Sequence, residues 1–257
     1  MDILLKIGLV QLSVREGDIE ANKKHIQELV AEHSDGDTDL LCFPELVVSG
    51  YDYEKAAASD QEEEFFSSLA STYDTAILAG IHIAEGEAHY DTACLWEKDG
   101  SLVGMYRKIH LWDTEDTFFR EGDSLITVPF RGWNIGMLIC ADLGFAEIST
   151  PLALKEGADL IIYPSAWGAG FEELYTTCAR LRAAENQVFT IAINRACGNM
   201  NYCGHSTVSN PDGTILARLT TVNEAYEKVS LDREKLEDAR KNIPWRQMKR
   251  YELYKTF

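Results

Sequence analysis

Residues 133–147 read WNIGMLICADLGFAE, and this stretch predicts a buried strand, a turn and the start of a helix. The apolar run 135–139 has the composition of a strand buried on both faces. It leads into Cys140, which is followed by Asp142 and Gly144. A cysteine at the end of such a strand is either a small core residue or a reactive thiol. The stretch does not supply the neighbouring base or cation that a nucleophilic thiol requires, so taken alone it favours the core interpretation.

The rest of the chain alternates predicted helices and strands, which is typical of a layered α/β protein with mixed sheets covered by helices. Asp18 is the predicted N-cap of a first helix. Asp99-Gly100 predicts a two-residue hairpin turn between two strands. Residues 172–186 predict a longer helix. The 257 residues show no linker, repeat or low-complexity segment, so we expect a single domain over 1–257.

The charge balance excludes several classes of partner. Lys and Arg number 24 against 42 for Asp and Glu, a formal net charge of -18, and the chain has no basic stripe. We therefore expect neither nucleic acid nor a membrane surface as a partner. The first residues, MDILLKIGLVQL, do not resemble a secretory signal and are too short to span a bilayer. Six scattered cysteines suit reduced thiols, so we expect a cytoplasmic protein.

Three reactive side chains share one property, because each follows a predicted strand. Glu45 comes after DLLCFP, Lys108 follows the second arm of the hairpin, and Cys140 ends the run IGMLI. Ligands of open α/β sheets bind beyond the carboxyl ends of the strands. A carboxylate there could take the thiol proton, and an ammonium could stabilise an oxyanion. Each residue also has a structural interpretation, as a helix cap, a solvated lysine or a core thiol, and spacing alone does not bring the three together.

Together with their surroundings, these residues resemble the nitrilase, or carbon–nitrogen hydrolase, superfamily. The resemblance covers nearly the whole chain, and three blocks in the right order make it specific. The matching segments are Phe43-Pro44-Glu45 with Gly50-Tyr51, Tyr106-Arg107-Lys108-Ile109-His110-Leu111, Ile139-Cys140-Ala141-Asp142, Pro164-Ser165-Ala166-Trp167, Arg182-Ala183-Ala184-Glu185-Asn186, Gly204-His205-Ser206 and Asn210-Pro211-Asp212-Gly213.

The resemblance implies a four-layer αββα sandwich with two mixed sheets, and subunits that pair into a homodimer or a higher homo-oligomer. It implies that Cys140 is the nucleophile, Glu45 the general base and Lys108 the stabiliser of the oxyanion. Glu115 matches a second glutamate of the family, and the backbone N–H of Ala141 is the expected second oxyanion donor. The sequence departs from the family where Arg and Pro are usual, since Gly144 and Ala146 stand there. Substrate preference therefore does not transfer from any one subfamily.

Other candidates carry weaker signals. Tyr51, Trp112 and Trp167 are candidate substrate-binding residues, although aromatic residues near strand ends are as often packing residues. His110 matches a family position, where we expect a supporting hydrogen bond rather than proton transfer. Neither a metal nor an organic cofactor is expected. The cysteines and histidine that hint at a metal lack the spacing of a zinc pair: Cys197, Cys203 and His205.

We therefore expect an amidase that hydrolyses a small linear amide through a thioester on Cys140, releasing ammonia and a carboxylic acid. Two alternatives on the same catalytic residues are an N-carbamoyl amidase, which would release carbon dioxide with ammonia, and a nitrilase. A third alternative is a non-catalytic binding protein that retains the fold.

Overall fold

The computed structural model describes residues 4–59, 61–250 and 253. The first half of the chain contains β1 (Leu4–Gln11), α1 (Ile19–His33), β2 (Leu40–Cys42), α2 (Tyr53–Ala57), α3 (Glu62–Tyr73), β3 (Ile77–Glu85), β4 (Ala88–Trp96) and β5 (Leu102–Arg107). The second half contains β6 (Thr127–Phe130), β7 (Trp133–Met137), α4 (Ala146–Leu154), β8 (Leu160–Ser165), α5 (Glu172–Asn186), β9 (Phe189–Asn194), β10 (Thr207–Ser209), β11 (Ile215–Arg218), β12 (Ala225–Asp232), α6 (Arg233–Asn242) and α7 (Trp245–Met248). Two 3-10 turns cover Asp113–Thr117 and Cys140–Gly144.

The strands form two mixed sheets of six strands each. The order in the first sheet is β12-β1-β2-β3-β4-β5, and the order in the second is β11-β10-β9-β8-β7-β6. In each sheet three central strands are parallel, β1, β2 and β3 in one and β7, β8 and β9 in the other. Strand β12 crosses back from the second half of the chain and pairs with β1, so the two halves are tied together.

Alternating side chains of β2 show how the layers pack. Leu40 and Cys42 lie in a core shared with the second sheet, whereas Leu41 and Phe43 pack with residues of α1 and α3. Helices α4 and α5 contribute to the shared core from the far side of the second sheet. Successive side chains of a strand point to opposite faces, so this alternation places one sheet between a helical layer and the other sheet. The predicted four-layer αββα sandwich is confirmed.

The structure confirms two local predictions from the sequence and contradicts a third. The side chain of Asp18 accepts a hydrogen bond from the backbone N–H of Ala21, as predicted for an N-cap, and α5 has the predicted bounds. The prediction of a two-residue turn at Asp99-Gly100 is wrong. The N–H of Glu97 donates to the carbonyl of Ser101, so three residues form the loop, and Gly100 closes it with a φ of 85°. No helix among the described residues combines the length and the apolar character needed to cross a bilayer.

The carboxylate of Asp142 joins the two sheets near their strand ends. Its Oδ2 accepts hydrogen bonds from the hydroxyl of Tyr106 at 2.7 Å and from the N–H of Ile139 at 3.0 Å. Its Oδ1 accepts from the N–H of His110 at 3.1 Å and lies 2.8 Å from Nδ1 of the same residue. Tyr106 belongs to β5 of the first sheet, whereas Ile139 follows β7 of the second. This buried carboxylate therefore fixes how the segment after β5 lies against the segment after β7.

Replacing Asp142 by Asn tests this link. Each side of the carboxylate faces a backbone N–H that cannot become an acceptor, so the amide nitrogen must leave either Ile139 or His110 without its partner. We expect the free energy of unfolding to fall by about 2 kcal/mol or more in urea titrations. Asp238→Asn, at an exposed position of α6, is the matched control and should change it by less than about 0.5 kcal/mol. Equal midpoints for both variants would contradict the role given to Asp142.

Candidate active site

Glu45, Lys108 and Glu115 meet in the interior of the protein. Nζ of Lys108 donates to Oε1 of Glu45 at 2.6 Å and lies 2.8 and 2.7 Å from the two carboxyl oxygens of Glu115. All three side chains are buried. Glu45 follows β2, Lys108 follows β5 and Glu115 lies in the 3-10 turn that begins at Asp113. The structure thus brings together three residues that the sequence analysis placed in one site.

A fourth ionisable residue of the cluster, Asp91, was not anticipated. Its Oδ2 lies 3.4 Å from Nζ of Lys108, and its carbonyl accepts the backbone N–H of Lys108 at 2.9 Å. Asp91 is fully buried in the middle of β4. Aspartate is depleted in strands, so an aspartate in the otherwise apolar run DTACLW of a hairpin that leads to Lys108 was the available signal.

The three carboxyl groups lie close enough together to resemble the ligands of a metal site. One oxygen from each of Glu45, Asp91 and Glu115 lies within 4.8 Å of the others. The ammonium of Lys108 lies within 2.6 to 3.4 Å of all three carboxyl groups and serves as their common counter-ion. A buried cation with such partners is stabilised by them in its charged form.

The ionisation of this cluster follows from burial and from that one cation. Burial opposes the charge on Lys108, yet the carboxylates of Glu45 and Asp91 raise its pKa well above the usual value. Burial likewise opposes the charge on Glu45, but Lys108 lowers the pKa of this carboxyl below 4.5, with help from hydrogen bonds of its neighbours. Burial and the nearby charge of Glu45 raise the pKa of Asp91 well above its usual value. Burial also raises the pKa of Glu115, against the opposing effect of Lys108. Of the three carboxyl groups, Glu45 alone has a pKa below its ordinary value, so its ionised form, which can accept a proton, is the most favoured.

Cys140 is not the last residue of a strand, as the sequence suggested, but the first residue of a 3-10 turn. Strand β7 ends at Met137, and Leu138 and Ile139 lead into the turn. Cys140 has a φ of 46°, a conformation that a residue with a side chain seldom adopts and that is frequent at functional sites. The turn is held by Asp142, whose carboxylate accepts the N–H of Ile139. The sharp change of direction presents the thiol beside the charged cluster.

Cys140 is only 8% exposed. Burial raises the pKa of this thiol well above 9, and the charge of Glu45 raises it further. Lys108 and the backbone N–H of Ala166 act in the opposite direction. The thiol also faces Glu45 closely enough to lower the pKa of that carboxyl. A thiol with a raised pKa needs a base to become a thiolate, and Glu45 is beside it.

The four remaining candidate site residues differ in their contacts with the rest of the site. Ala141 is the second residue of the turn begun by Cys140, as an oxyanion donor requires. Nε1 of Trp167 donates to the carbonyl of Cys140 at 3.3 Å, so this ring supports the turn as well as bordering the site. The Tyr51 ring is near enough to Glu45 for that charge to help raise the pKa of its phenol. The side chain of Trp112 is 67% exposed, and its backbone N–H donates to Oε2 of Glu115 at 2.7 Å.

Arg195 is a second buried charge that the sequence analysis missed. Its guanidinium donates to the carbonyls of Glu45 and Leu46, each at 2.8 Å, and to Oε1 of Glu16 at 2.9 Å. It also lies 4.9 Å from the centre of the Tyr51 ring. Arg195 directly follows β9, so the rule that selected Glu45 and Lys108 would have selected it as well. Arg195 therefore fixes the backbone segment that carries the Glu45 side chain.

The departure from the family pattern lies at the exposed edge of the cysteine turn. The carbonyl of Gly144 accepts a hydrogen bond from Arg182 at 2.9 Å, and a Cβ at this glycine would meet nothing within 4 Å. Phe145 stacks on His110 with ring centres 3.7 Å apart, and His110 in turn contacts Asp142. The substitutions at Gly144 and Ala146 therefore leave the turn and its supports in place.

Comparisons with known proteins agree with this geometry. The carbon-nitrogen hydrolase family model matches residues 6–241. An (R)-stereoselective amidase from a Pseudomonas species is 31% identical over 250 residues, which cover 94% of this chain and 90% of the relative. A probable nitrilase from Schizosaccharomyces pombe is 28% identical, covering 92% of each chain. The crystal structure of Saccharomyces cerevisiae Nit3, a member of the nitrilase superfamily, superposes with a TM-score of 0.85 at 28% identity and 94% coverage of both chains.

A match over this much of the chain, with the fold and the buried charged cluster described above, identifies the family. The chain belongs to the carbon–nitrogen hydrolase family, within the nitrilase superfamily.

Proposed function

We propose that this hydrolase acts on a small linear amide and forms a thioester on Cys140, releasing ammonia and a carboxylic acid. The observation that supports this proposal best is the buried Glu45–Lys108 pair beside a thiol whose pKa is raised by burial. The amidase among its relatives supports an amide as the substrate class. Glu45, Lys108, Cys140 and Glu115 are the proposed catalytic residues.

In the first half of the reaction, Glu45 takes the proton of the Cys140 thiol as the sulfur attacks the carbonyl carbon. A carbon–sulfur bond forms, and the carbonyl electrons move to the oxygen. The ammonium of Lys108 and the N–H of Ala141 stabilise this oxyanion, because donors fixed in a dry site stabilise developing charge well. When the carbonyl re-forms, the carbon–nitrogen bond breaks and Glu45 returns its proton to the leaving nitrogen, which departs as ammonia.

In the second half, Glu45 is again a carboxylate and takes a proton from water as the water oxygen attacks the thioester. The carbon–sulfur bond breaks, the acid is released, and Glu45 returns the proton to the sulfur. Glu115 accepts hydrogen bonds from Lys108 and from the N–H of Trp112, so it fixes the direction of the ammonium throughout. Tyr51, Trp112 and Trp167 are the proposed neighbours of the substrate.

Replacing Cys140 by Ala tests the nucleophile and the substrate class together. We expect the wild type to release ammonia from at least one member of a panel of linear amides, ureido acids and nitriles. Cys140→Ala should lose at least about a thousandfold of that activity, because no other group can form the thioester. Cys178→Ala, at a half-buried position of α5, is the matched control and should keep this activity.

Product analysis on the same panel separates the alternatives. Ammonia with the free acid of an amide supports the proposal, whereas carbon dioxide released with ammonia from ureido acids would make the enzyme an N-carbamoyl amidase. Turnover of nitriles alone would make it a nitrilase. If no compound were hydrolysed while Cys140→Ala bound amides, the protein would be a binding protein on this fold.

The pH dependence of kcat/KM tests the state of Glu45. This residue must be ionised in the free enzyme to act as a base, and Lys108 lowers the pKa of its carboxyl below 4.5. The active ionised form is therefore retained as the pH falls and is lost only below that value. We expect kcat/KM to stay constant from about pH 7 down to about pH 5. An acidic limb centred near pH 6 would contradict the assignment.

A further inference from the structure

Three buried carboxyl groups share a single buried ammonium in this site. Glu45, Asp91 and Glu115 all contact Lys108, and all four side chains are removed from solvent. Three ionised carboxylates would leave two negative charges without a partner in a region that water does not reach. Unpaired buried charge is strongly unfavourable, and a carboxyl group avoids it by keeping its proton. At least one of the three is therefore a neutral carboxylic acid.

The hydrogen-bond donors around the cluster identify which one. Glu115 receives N–H groups on both oxygens, from Lys108 and from the backbone of Trp112. Oε1 of Glu45 receives the ammonium of Lys108 at 2.6 Å. Among the described residues, neither oxygen of Asp91 has a hydrogen-bond donor, and the distance from its Oδ2 to Nζ of Lys108 is a longer 3.4 Å. A carboxylate without donors is the least favourable of the three to ionise.

A second atom in the cluster also lacks a partner. Oε2 of Glu45 is buried and, within the described part of the chain, receives no hydrogen bond. Asp91 and Glu45 face each other closely enough for a hydrogen bond between their side chains, which a proton on Asp91 would donate. That proton pairs Oε2 of Glu45 with one oxygen of Asp91.

We propose that Asp91 is a positioning residue, a neutral carboxylic acid that donates its proton to Oε2 of Glu45 and holds this base toward Cys140. The inference depends on the proposed role of Glu45 as the base for the thiol. Asp91 keeps its proton throughout, since the thiol proton moves from Cys140 to Glu45 and back.

The electrostatics of the surrounding groups agree with this arrangement. Hydrogen bonding between the two residues raises the pKa of Asp91 and lowers that of Glu45. The titratable groups that face Asp91 are Glu45 after β2, Lys108 after β5 and Glu115 in the 3-10 turn, with His82 opposite it in the register of β3. Burial lowers the pKa of His82 to about 4, so this imidazole adds no positive charge near neutral pH.

Two substitutions distinguish a neutral donor from an ionised carboxylate. In Asp91→Asn the amide still donates to Glu45 but cannot ionise, whereas Asp91→Leu has a similar size and no donor. The readout is the rate at which iodoacetamide alkylates Cys140, followed by peptide mass spectrometry over a range of pH. The fall in this rate at low pH, its acidic limb, reports the pKa of Glu45. The measurement needs no amide substrate, so it can be made even if the proposed reaction is wrong.

We expect the acidic limb of Asp91→Asn to match that of the wild type. The limb of Asp91→Leu should move to higher pH by about one unit, because Glu45 loses a donor to its ionised form. A limb that moves to lower pH in both variants would overturn the proposal, since it would show that both had removed a negative charge. Acidic limbs that stay unchanged in both variants would also overturn the proposal, because they would show that Asp91 contributes only packing.

An infrared difference spectrum provides a second readout if Asp91→Leu does not fold. At neutral pH, the spectrum of the wild type minus that of Asp91→Asn should contain the carbonyl band of a neutral carboxylic acid. The bands of an ionised carboxylate in its place would contradict the inference. Asp238→Asn is the matched control, because its exposed carboxylate is ionised and should show those ionised bands.

Discussion

The buried ammonium of Lys108 is the constraint on which the site depends. It contacts carboxyl groups from three separate parts of the first half of the chain, the segment after β2, strand β4 and the 3-10 turn at Asp113. A cation removed from water is tolerated only with such partners, so these parts of the chain cannot move independently without exposing an unpaired charge. The same cation lowers the pKa of Glu45, beside a thiol whose pKa is raised by burial. One ammonium therefore both stabilises the cluster and favours the ionised form of the proposed base, Glu45.

The proposed nucleophile, Cys140, comes from the second sheet, and two further buried charged side chains fix how the sheets meet. Asp142 joins the segment after β5 to the turn that carries Cys140. Arg195, from the end of β9 in the second sheet, binds the carbonyls of Glu45 and Leu46 in the first. Glu45, the proposed base, is thus held through its side chain by Lys108 and through its backbone by Arg195. Both sheets are required for the reacting groups to lie in contact.

The sequence predicted those parts of the site that follow from strand order. Glu45 and Lys108 come just after strands, and the carboxyl ends of strands are where α/β proteins gather ligands. Asp91 escaped prediction because it lies inside a strand, where periodicity indicates the face of a side chain but not what meets it from another part of the chain. Arg195 met the rule applied to the other residues and was overlooked. The positive φ of Cys140 and the three-residue loop at Gly100 depend on backbone geometry that residue types alone do not determine.

The pH dependence of thermal unfolding in Lys108→Met shows whether one ammonium stabilises the charged cluster. Without the cation, the carboxyl groups of the folded protein should titrate above their usual pKa of about 4, so the unfolded state gains stability as the pH rises through that range. We expect the difference in Tm between wild type and Lys108→Met to be small near pH 4.5 and to grow steadily toward pH 8. A difference of the same size at every pH would contradict it, because it would show that the lysine contributes packing and not charge.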